Sequence, residues 1–279
     1  LPQSPQQLKQ LLMVGGIDRY FQIARCFRDE DPRADRQVEH TQLDMEMSFV
    51  EQDDVLDLIE ELYVDIVEAL MPNKRVVKPF PKITYKESMD RFGTDKPDLR
   101  FGLEMVDLSD IGRTSSFKVF NSAIERGGLV KGFNVPGAGS YSRRQLDALV
   151  EFAKSRGATG LVYIAFDDSV TSIEELTKDQ IRSPITRVLS IDEIQMIARI
   201  TSAKPGDLVL IAAGDAKLTN VVLSALRNEM GRRHDLADPN ILSFAFIVDF
   251  PLFDWNEEEE RWDAMHHAFS MPKEDSLQY

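Results

Sequence analysis

The run Gln42 to Phe49 constrains this chain more than any other segment. Leu43, Met45, Met47 and Phe49 alternate with Gln42, Asp44, Glu46 and Ser48. A period of two is the signature of a half-buried β-strand. An apolar-rich run from Ile17 to Phe27 precedes it, and the two segments predict a hairpin closed by a long polar loop, Asp29 to Thr41. Hairpin loops are usually short, so a long one points to function.

Charge placement sharpens this reading. Arg28 closes the first strand, while Asp44 and Glu46 share one face of the second. A rigid strand can aim the planar guanidinium at a phosphate or carboxylate. Such a cleft could hold a zwitterion, a phosphate and a metal together. Charge alone leaves a second reading open, an exposed hairpin decorated with weak surface ion pairs.

Several strings carry a resemblance. Phe27-Arg28-Asp29-Glu30, a loop, then His40 and a strand resembles motif 2 of class II aminoacyl-tRNA synthetases. Arg28 to Asp31, Arg33 to Gln37 and Glu39 to Asp44 resemble the aspartyl-tRNA synthetase family in particular. Leu1 to Gln10 is similar to that family's aspartate-binding segment. Phe250 to Trp255 and Met265 to Pro272 resemble its next catalytic block. The words occur in family order along almost the whole chain.

The resemblance implies an α+β fold: part of a class II antiparallel-sheet catalytic core, with an inserted α+β sandwich domain. The expected boundaries are 1–102 and 240–279 for the core and 103–239 for the insert. The hairpin and the strand between Phe244 and Phe253 are expected to be neighbours in one antiparallel sheet. In the middle segment, strand-like runs recur at Phe117–Phe120, Leu129–Val135, Leu161–Phe166 and Asp207–Ala213. Helix-like runs lie at Ser142–Ser155, Ser190–Ile200 and Leu218–Arg232. Alternating elements with Gly and Pro joints read as a compact α+β unit. Its position resembles the GAD insertion of bacterial aspartyl-tRNA synthetases. Pro136 to Ser140 has the composition of a phosphate loop but lacks the Gly-Lys-Ser/Thr ending, and reads as a turn.

Residue roles follow from the resemblance, position by position. Arg28 matches the catalytic arginine that bridges the ATP α-phosphate and the substrate carboxylate. Asp29, Glu30, Gln37 and His40 match ATP contacts. Gln6, Lys9, Asp44 and His266 match aspartate contacts, with Lys9 facing the side-chain carboxylate. His40 stands where many relatives have phenylalanine; imidazole is also planar and can stack. Val38 and Ala268 replace prolines and loosen the backbone there.

Other features bound the chemistry. His266 and His267 are adjacent, so in a strand they point to opposite faces and do not chelate one metal. Cys26 is the one cysteine, which excludes an internal disulfide and a thiolate zinc site; it reads as a packing residue. The net charge of −14 is the wrong sign for a chain whose main surface grips nucleic acid. Much of the acid lies between Asp53 and Glu68, behind an apolar stripe of Val55, Leu56, Ile59, Leu62, Tyr63, Ile66, Val67 and Leu70 that predicts a core-facing helix. Glu257 to Glu260 reads as a hairpin turn, and His234 as a surface residue near a helix end. No apolar run approaches the roughly 20 residues of a membrane span.

The expectation is therefore a cytoplasmic ligase, homodimeric at full length, using L-aspartate, ATP, Mg2+ and tRNA. The resemblance also implies an interior piece of a longer enzyme, inactive alone, whose principal Mg2+ ligands lie further along. Open alternatives are an enzyme charging the tRNAs of both aspartate and asparagine, and a noncatalytic RNA-binding or regulatory relative.

Overall fold

A computed structural model describes residues 3–29, 37–169, 171–256, 259–265, 271 and 273. The chain divides into two compact units, one ending at Leu70 and one beginning at Met71.

The first unit contains helix α1 (Gln6–Val14), strands β1 (Arg19–Phe27) and β2 (Glu39–Met47), and helix α2 (Gln52–Leu70). The expected hairpin forms, antiparallel, with Arg19 opposite Met47 and Phe27 opposite Glu39. It is longer than the sequence predicts. The Arg28 amide donates to the Val38 carbonyl at 2.8 Å, so the connection begins at Asp29 but ends before Thr41. Helix α2 also forms, but only Val64 and Val67 of it are buried; Val55, Tyr63, Ile66 and Leu70 remain exposed.

The second unit opens with β3 (Arg75–Val76), β4 (Lys82–Thr84) and α3 (Tyr85–Phe92). It continues through β5 (Val106–Asp107), α4 (Ser109–Thr114), α5 (Lys118–Glu125), β6 (Leu129–Val135), α6 (Arg143–Lys154), β7 (Val162–Phe166), β8 (Ile181–Arg182), α7 (Ile191–Ile200), β9 (Leu208–Gly214) and α8 (Ala216–Arg233). It closes with β10 (Ile241–Leu242), β11 (Phe246–Val248), β12 (Phe253–Asn256) and β13 (Arg261–Ala264).

A five-stranded antiparallel sheet, in the order β5-β6-β9-β7-β8, organises the middle of the chain. Strand β9 is central and apolar throughout, as a strand covered on both faces must be. Leu208, Leu210 and Ala212 pack with Phe133, Leu149, Leu226 and Met230 on one side. Val209 and Ile211 pack with Phe120, Ile164, Ile194 and Ile197 on the other. Capping boxes start α3, α6 and α7 at Thr84/Glu87, Ser142/Gln145 and Ser190/Glu193, satisfying first-turn amides.

Three expectations need correction or refinement here. Phe117–Phe120 is not a strand: Lys118–Glu125 is helix α5. Phe120 and Ala123 are buried at helical spacing, and the Ser115 hydroxyl accepts from the Phe117 amide at 3.1 Å, a turn that launches the helix. The segment from Phe244 to Phe253 contains β11, whose ladder partner is β4, in parallel rather than in an antiparallel sheet with the hairpin. Strand β10 likewise pairs in parallel with β3. His234 is the half-buried C-cap residue of α8, stacked on Tyr141 with Nε2 2.9 Å from its hydroxyl.

The parallel pairs show that the chain leaves after β4 and α3 and returns beside them. Phe80 packs on Phe244 and Phe246 at that return. Pro136 to Ser140 folds as a turn after β6. A Cβ at Gly139 would run into the backbone of Phe166 and Gly206, so that turn needs glycine for close approach. Strands β12 and β13 pair in antiparallel fashion, with Trp255 edge-on to Trp262; Glu257, in the expected acidic turn, lies outside the described residues.

Two buried cations fasten the segments around the sheet. The Lys131 ammonium on β6 donates to the Met89 and Asp90 carbonyls and to Asn220 Oδ1. It thereby caps α3 and joins it to α8; burial pushes its pKa down. Arg227 on α8 donates to the carbonyls of Asp98, Phe101 and Gly102 and lies over the rings of Phe92 and Phe101. Burial pushes this guanidinium down to about 10, against the nearby charges of Asp98 and Glu104. It therefore stays charged at neutral pH. Replacing it with an apolar side chain leaves three carbonyls short of their donor. Arg227→Met is expected to cost on the order of 3 kcal/mol, read as a shift of the urea midpoint followed by far-ultraviolet circular dichroism.

Candidate functional site

Alternation along the hairpin separates two faces. Phe21, Ile23, Leu43 and Met45 lie on one; Gln22, Ala24, Cys26, His40, Gln42, Asp44 and Glu46 lie on the other. The two faces differ in exposure. Phe21 is 73% and Leu43 41% exposed on the apolar face, while Asp44 on the polar face is only 4% exposed. Helix α1 contributes Lys9, itself buried, whose ammonium lies 3.0 Å from Asp44 Oδ1 and 3.1 Å from Glu46 Oε2. The Ser48 hydroxyl also donates to Met13 Sδ at 3.1 Å.

The polar face forms a connected series. Arg28 Nη2 donates to Gln42 Oε1 at 3.3 Å, and Gln42 Nε2 donates to Asp44 Oδ1 at 3.0 Å. Asp44 Oδ1 thus takes bonds from both Gln42 and Lys9, whereas Asp44 Oδ2 is buried without a hydrogen-bond partner among the described residues. A buried carboxylate oxygen left unpaired is costly, so this atom marks a place for a donor supplied by a ligand. Burial by itself would lower the Lys9 pKa; the hydrogen bonds and charges of Asp44 and Glu46 outweigh it and hold the ammonium above its ordinary value of 10.5.

The sequence-derived candidates fall into three groups. Arg28, Asp44 and Lys9 come together on the polar face. Gln6 lies one turn before Lys9 on α1 and is half-buried, as is His40, which sits opposite Cys26. Asp29 and Gln37 are exposed at the two edges of the loop. Glu30 and His266 lie outside the described residues. Cys26 is fully buried, with Sγ near the Ala24 carbonyl and Gln42 Oε1, as a packing residue should be. Gln42 carries no role in the sequence reading, and Glu46 enters it only as a second carboxylate of the cleft. Their spacing of two from Asp44 was the available signal, since it places all three on one face. Among the described residues no group of three or more His, Cys, Asp or Glu is arranged to hold a metal ion.

The pair generates a stability prediction. Lys9→Met strands Asp44 in a buried position without its cation and is expected to cost about 3 kcal/mol or more. Adding Asp44→Leu is expected to return much of that loss, which a double-mutant cycle in urea unfolding measures. Because the folded Lys9 pKa is raised, its contribution is complete below pH 10.5 and fades as pH rises through the folded value.

Comparison with known proteins gives the family. The description "tRNA synthetases class II (D, K and N)" matches residues 1–279. A Dehalococcoides mccartyi protein named "Aspartate--tRNA(Asp/Asn) ligase" is 50% identical over 277 residues, 99% of this chain and 46% of that protein. Proteins of the same name from Rubrobacter xylanophilus and Geotalea uraniireducens are 49% and 47% identical, with 44% and 45% of their lengths covered. The chain thus spans somewhat under half the length of the curated relatives it matches. Its hairpin, its polar face and its match from end to end make this chain a member of the class II tRNA synthetases of the D, K and N group.

Proposed function

We propose that this chain supplies part of the amino-acid-activating site of an enzyme that attaches L-aspartate to tRNA at the expense of ATP. The observation that carries the reading is Asp44: buried, held by Lys9 and Gln42 on one oxygen, unpartnered on the other, and on the same face as Arg28. Asp44 Oδ2 is suited to accept from the ammonium of a bound amino acid. Lys9 is suited to the side-chain carboxylate, with Gln6 beside it. Arg28 is suited to the α-carboxylate and the α-phosphate together, since its fork of donors can serve two anions. Asp29, Gln37 and His40 stand where ATP contacts are proposed; Glu30 and His266 complete the proposed set.

The reaction has two steps. An α-carboxylate oxygen of aspartate attacks the α-phosphorus of ATP, forming aspartyl-adenylate as pyrophosphate leaves. A hydroxyl of the terminal tRNA ribose then attacks the aspartyl carbonyl, and AMP leaves. The described side chains provide position and charge rather than an acid-base pair. A fixed cation beside the α-phosphate stabilises the charge that accumulates as pyrophosphate departs. Mg2+ is expected for the family; the described residues offer it no cluster of three or more His, Cys, Asp or Glu ligands.

The printed names of the relatives favour a second, finer reading, in which the tRNAs of both aspartate and asparagine are charged. The segment 103–239, which departs from and returns to the parallel strand pairs, is proposed as an inserted domain. A homodimeric cytoplasmic enzyme completes the reading. No described helix is long and apolar enough to cross a membrane.

The test uses the full-length protein that carries this chain. Aspartate-dependent exchange of pyrophosphate into ATP is expected, and aspartylation of both tRNA transcripts separates the finer reading from the coarser. Arg28→Ala is expected to lower kcat/KM for exchange at least about 100-fold, an effect on the order of 3 kcal/mol. Arg28→Lys should be nearly as harmful, because a point charge does not replace a two-pronged donor. Near-normal exchange by Arg28→Ala would refute the assignment.

A further inference from the structure

We infer that Gln42 is a positioning residue that sets the geometry of Arg28 and Asp44 relative to each other; the inference rests on the aspartate-activating reading above. Its terminal amide receives Arg28 Nη2 at 3.3 Å on oxygen and reaches Asp44 Oδ1 at 3.0 Å through nitrogen. Ala24 lies opposite it across the hairpin, and its own side chain is half-buried.

The chemistry of the neighbours fixes which way the amide points. A guanidinium has only donors and an ionised carboxylate only acceptors. An amide between them has its oxygen toward Arg28 and its nitrogen toward Asp44, since the flipped orientation would set donor against donor and acceptor against acceptor. Other side chains fail at this place. A carboxylate there would accept from Arg28 but repel Asp44. A lysine would bond Asp44 but repel Arg28, and would neutralise the charge meant for an ammonium. The amide is neutral, so it joins the two without cancelling either.

Two consequences follow for a bound amino acid. With Lys9 and Gln42 both on Asp44 Oδ1, the carboxyl plane is set and Oδ2 is presented as the free acceptor. With Arg28 Nη2 engaged, the guanidinium is held against the strand on the same face. Ammonium and α-carboxylate sit on one carbon atom, so their receptors must keep a fixed spacing. Gln42 is the side chain that links those receptors directly.

Two variants of the full-length protein separate this role from packing. Gln42→Glu preserves size and the acceptor for Arg28 but removes the donor to Asp44. Gln42→Met preserves bulk and removes both bonds. In pyrophosphate exchange, Gln42→Glu is expected to raise the aspartate KM about tenfold while the ATP KM stays within about twofold. Gln42→Met is expected to raise the aspartate KM similarly and also to lower kcat about tenfold, because Arg28 loses this bond as well. Thermal melting monitors folding of both variants. Kinetic constants of both variants equal to wild type would overturn the inference, as would a uniform loss of activity that follows a lowered melting temperature. A wild-type protein without aspartate-dependent exchange would instead overturn the functional reading itself, so the two failures are distinguishable.

Discussion

An ionised carboxylate is costly to bury against a strand wall unless a cation or hydrogen-bond donors meet it, and the architecture of the hairpin answers to that cost. Asp44 points to the face that helix α1 covers, so α1 must present a positive charge there, and Lys9 does. The desolvation of two charges is expensive, and its return depends on good geometry and further hydrogen bonds. Asp44 Oδ1 receives two donors and Lys9 meets two carboxylates. The one unmet need, at Asp44 Oδ2, is therefore a local feature of an otherwise well-paired site. Structures keep such debts where a ligand settles them.

The hairpin was legible in the sequence. Alternation reports which residues share a face, but not which face is covered. Hydropathy alone assigns Leu43 and Met45 to the interior. Lys9 is distant in sequence and carries no hydropathy signal, yet it pairs with Asp44 and Glu46 on the polar face. The same limit applies to Phe117–Phe120, where four residues are too few to distinguish a period of two from one of 3.6. Longer periodic segments fared better: β6 spans Leu129–Val135 as read, and α6 and α7 fall within one residue of their expected limits at each end. The parallel ladders of β3 with β10 and β4 with β11 were illegible because each involves two or three residues whose partners lie far along the chain.

In the second unit the decisive interactions are again buried cations, but they serve the backbone. Lys131 and Arg227 donate to main-chain carbonyls at segments that lead into the five-stranded sheet. Irregular backbone beside an apolar core exposes acceptors that no ladder or helix satisfies. A long side chain with several donors, anchored on a strand or helix, meets that need from a fixed point. Composition offers no hint of this, since a lysine or arginine in the sequence reads by default as a solvated residue.

The candidate site also shows why charge sign matters less than charge order. Along the polar face the groups run Arg28, Gln42, Asp44, Lys9, Glu46: cation, neutral amide, anion, cation, anion. Fixed charges of opposite sign nearly cancel at a distance, so this face adds little to the net charge of −14. At close range each group of the proposed ligand meets its complement, the α-carboxylate at Arg28 and the ammonium at Asp44. In the proposed reading the side-chain carboxylate is assigned to Lys9, which holds Glu46, the more exposed of its two partners. Binding there would exchange one anion for another on the same ammonium. A neutral carboxamide would offer Lys9 a weaker acceptor than the one it gives up, whereas a carboxylate replaces like with like. For the proposed ligand, a lysine already paired with Glu46 thus favours a carboxylate over its amide.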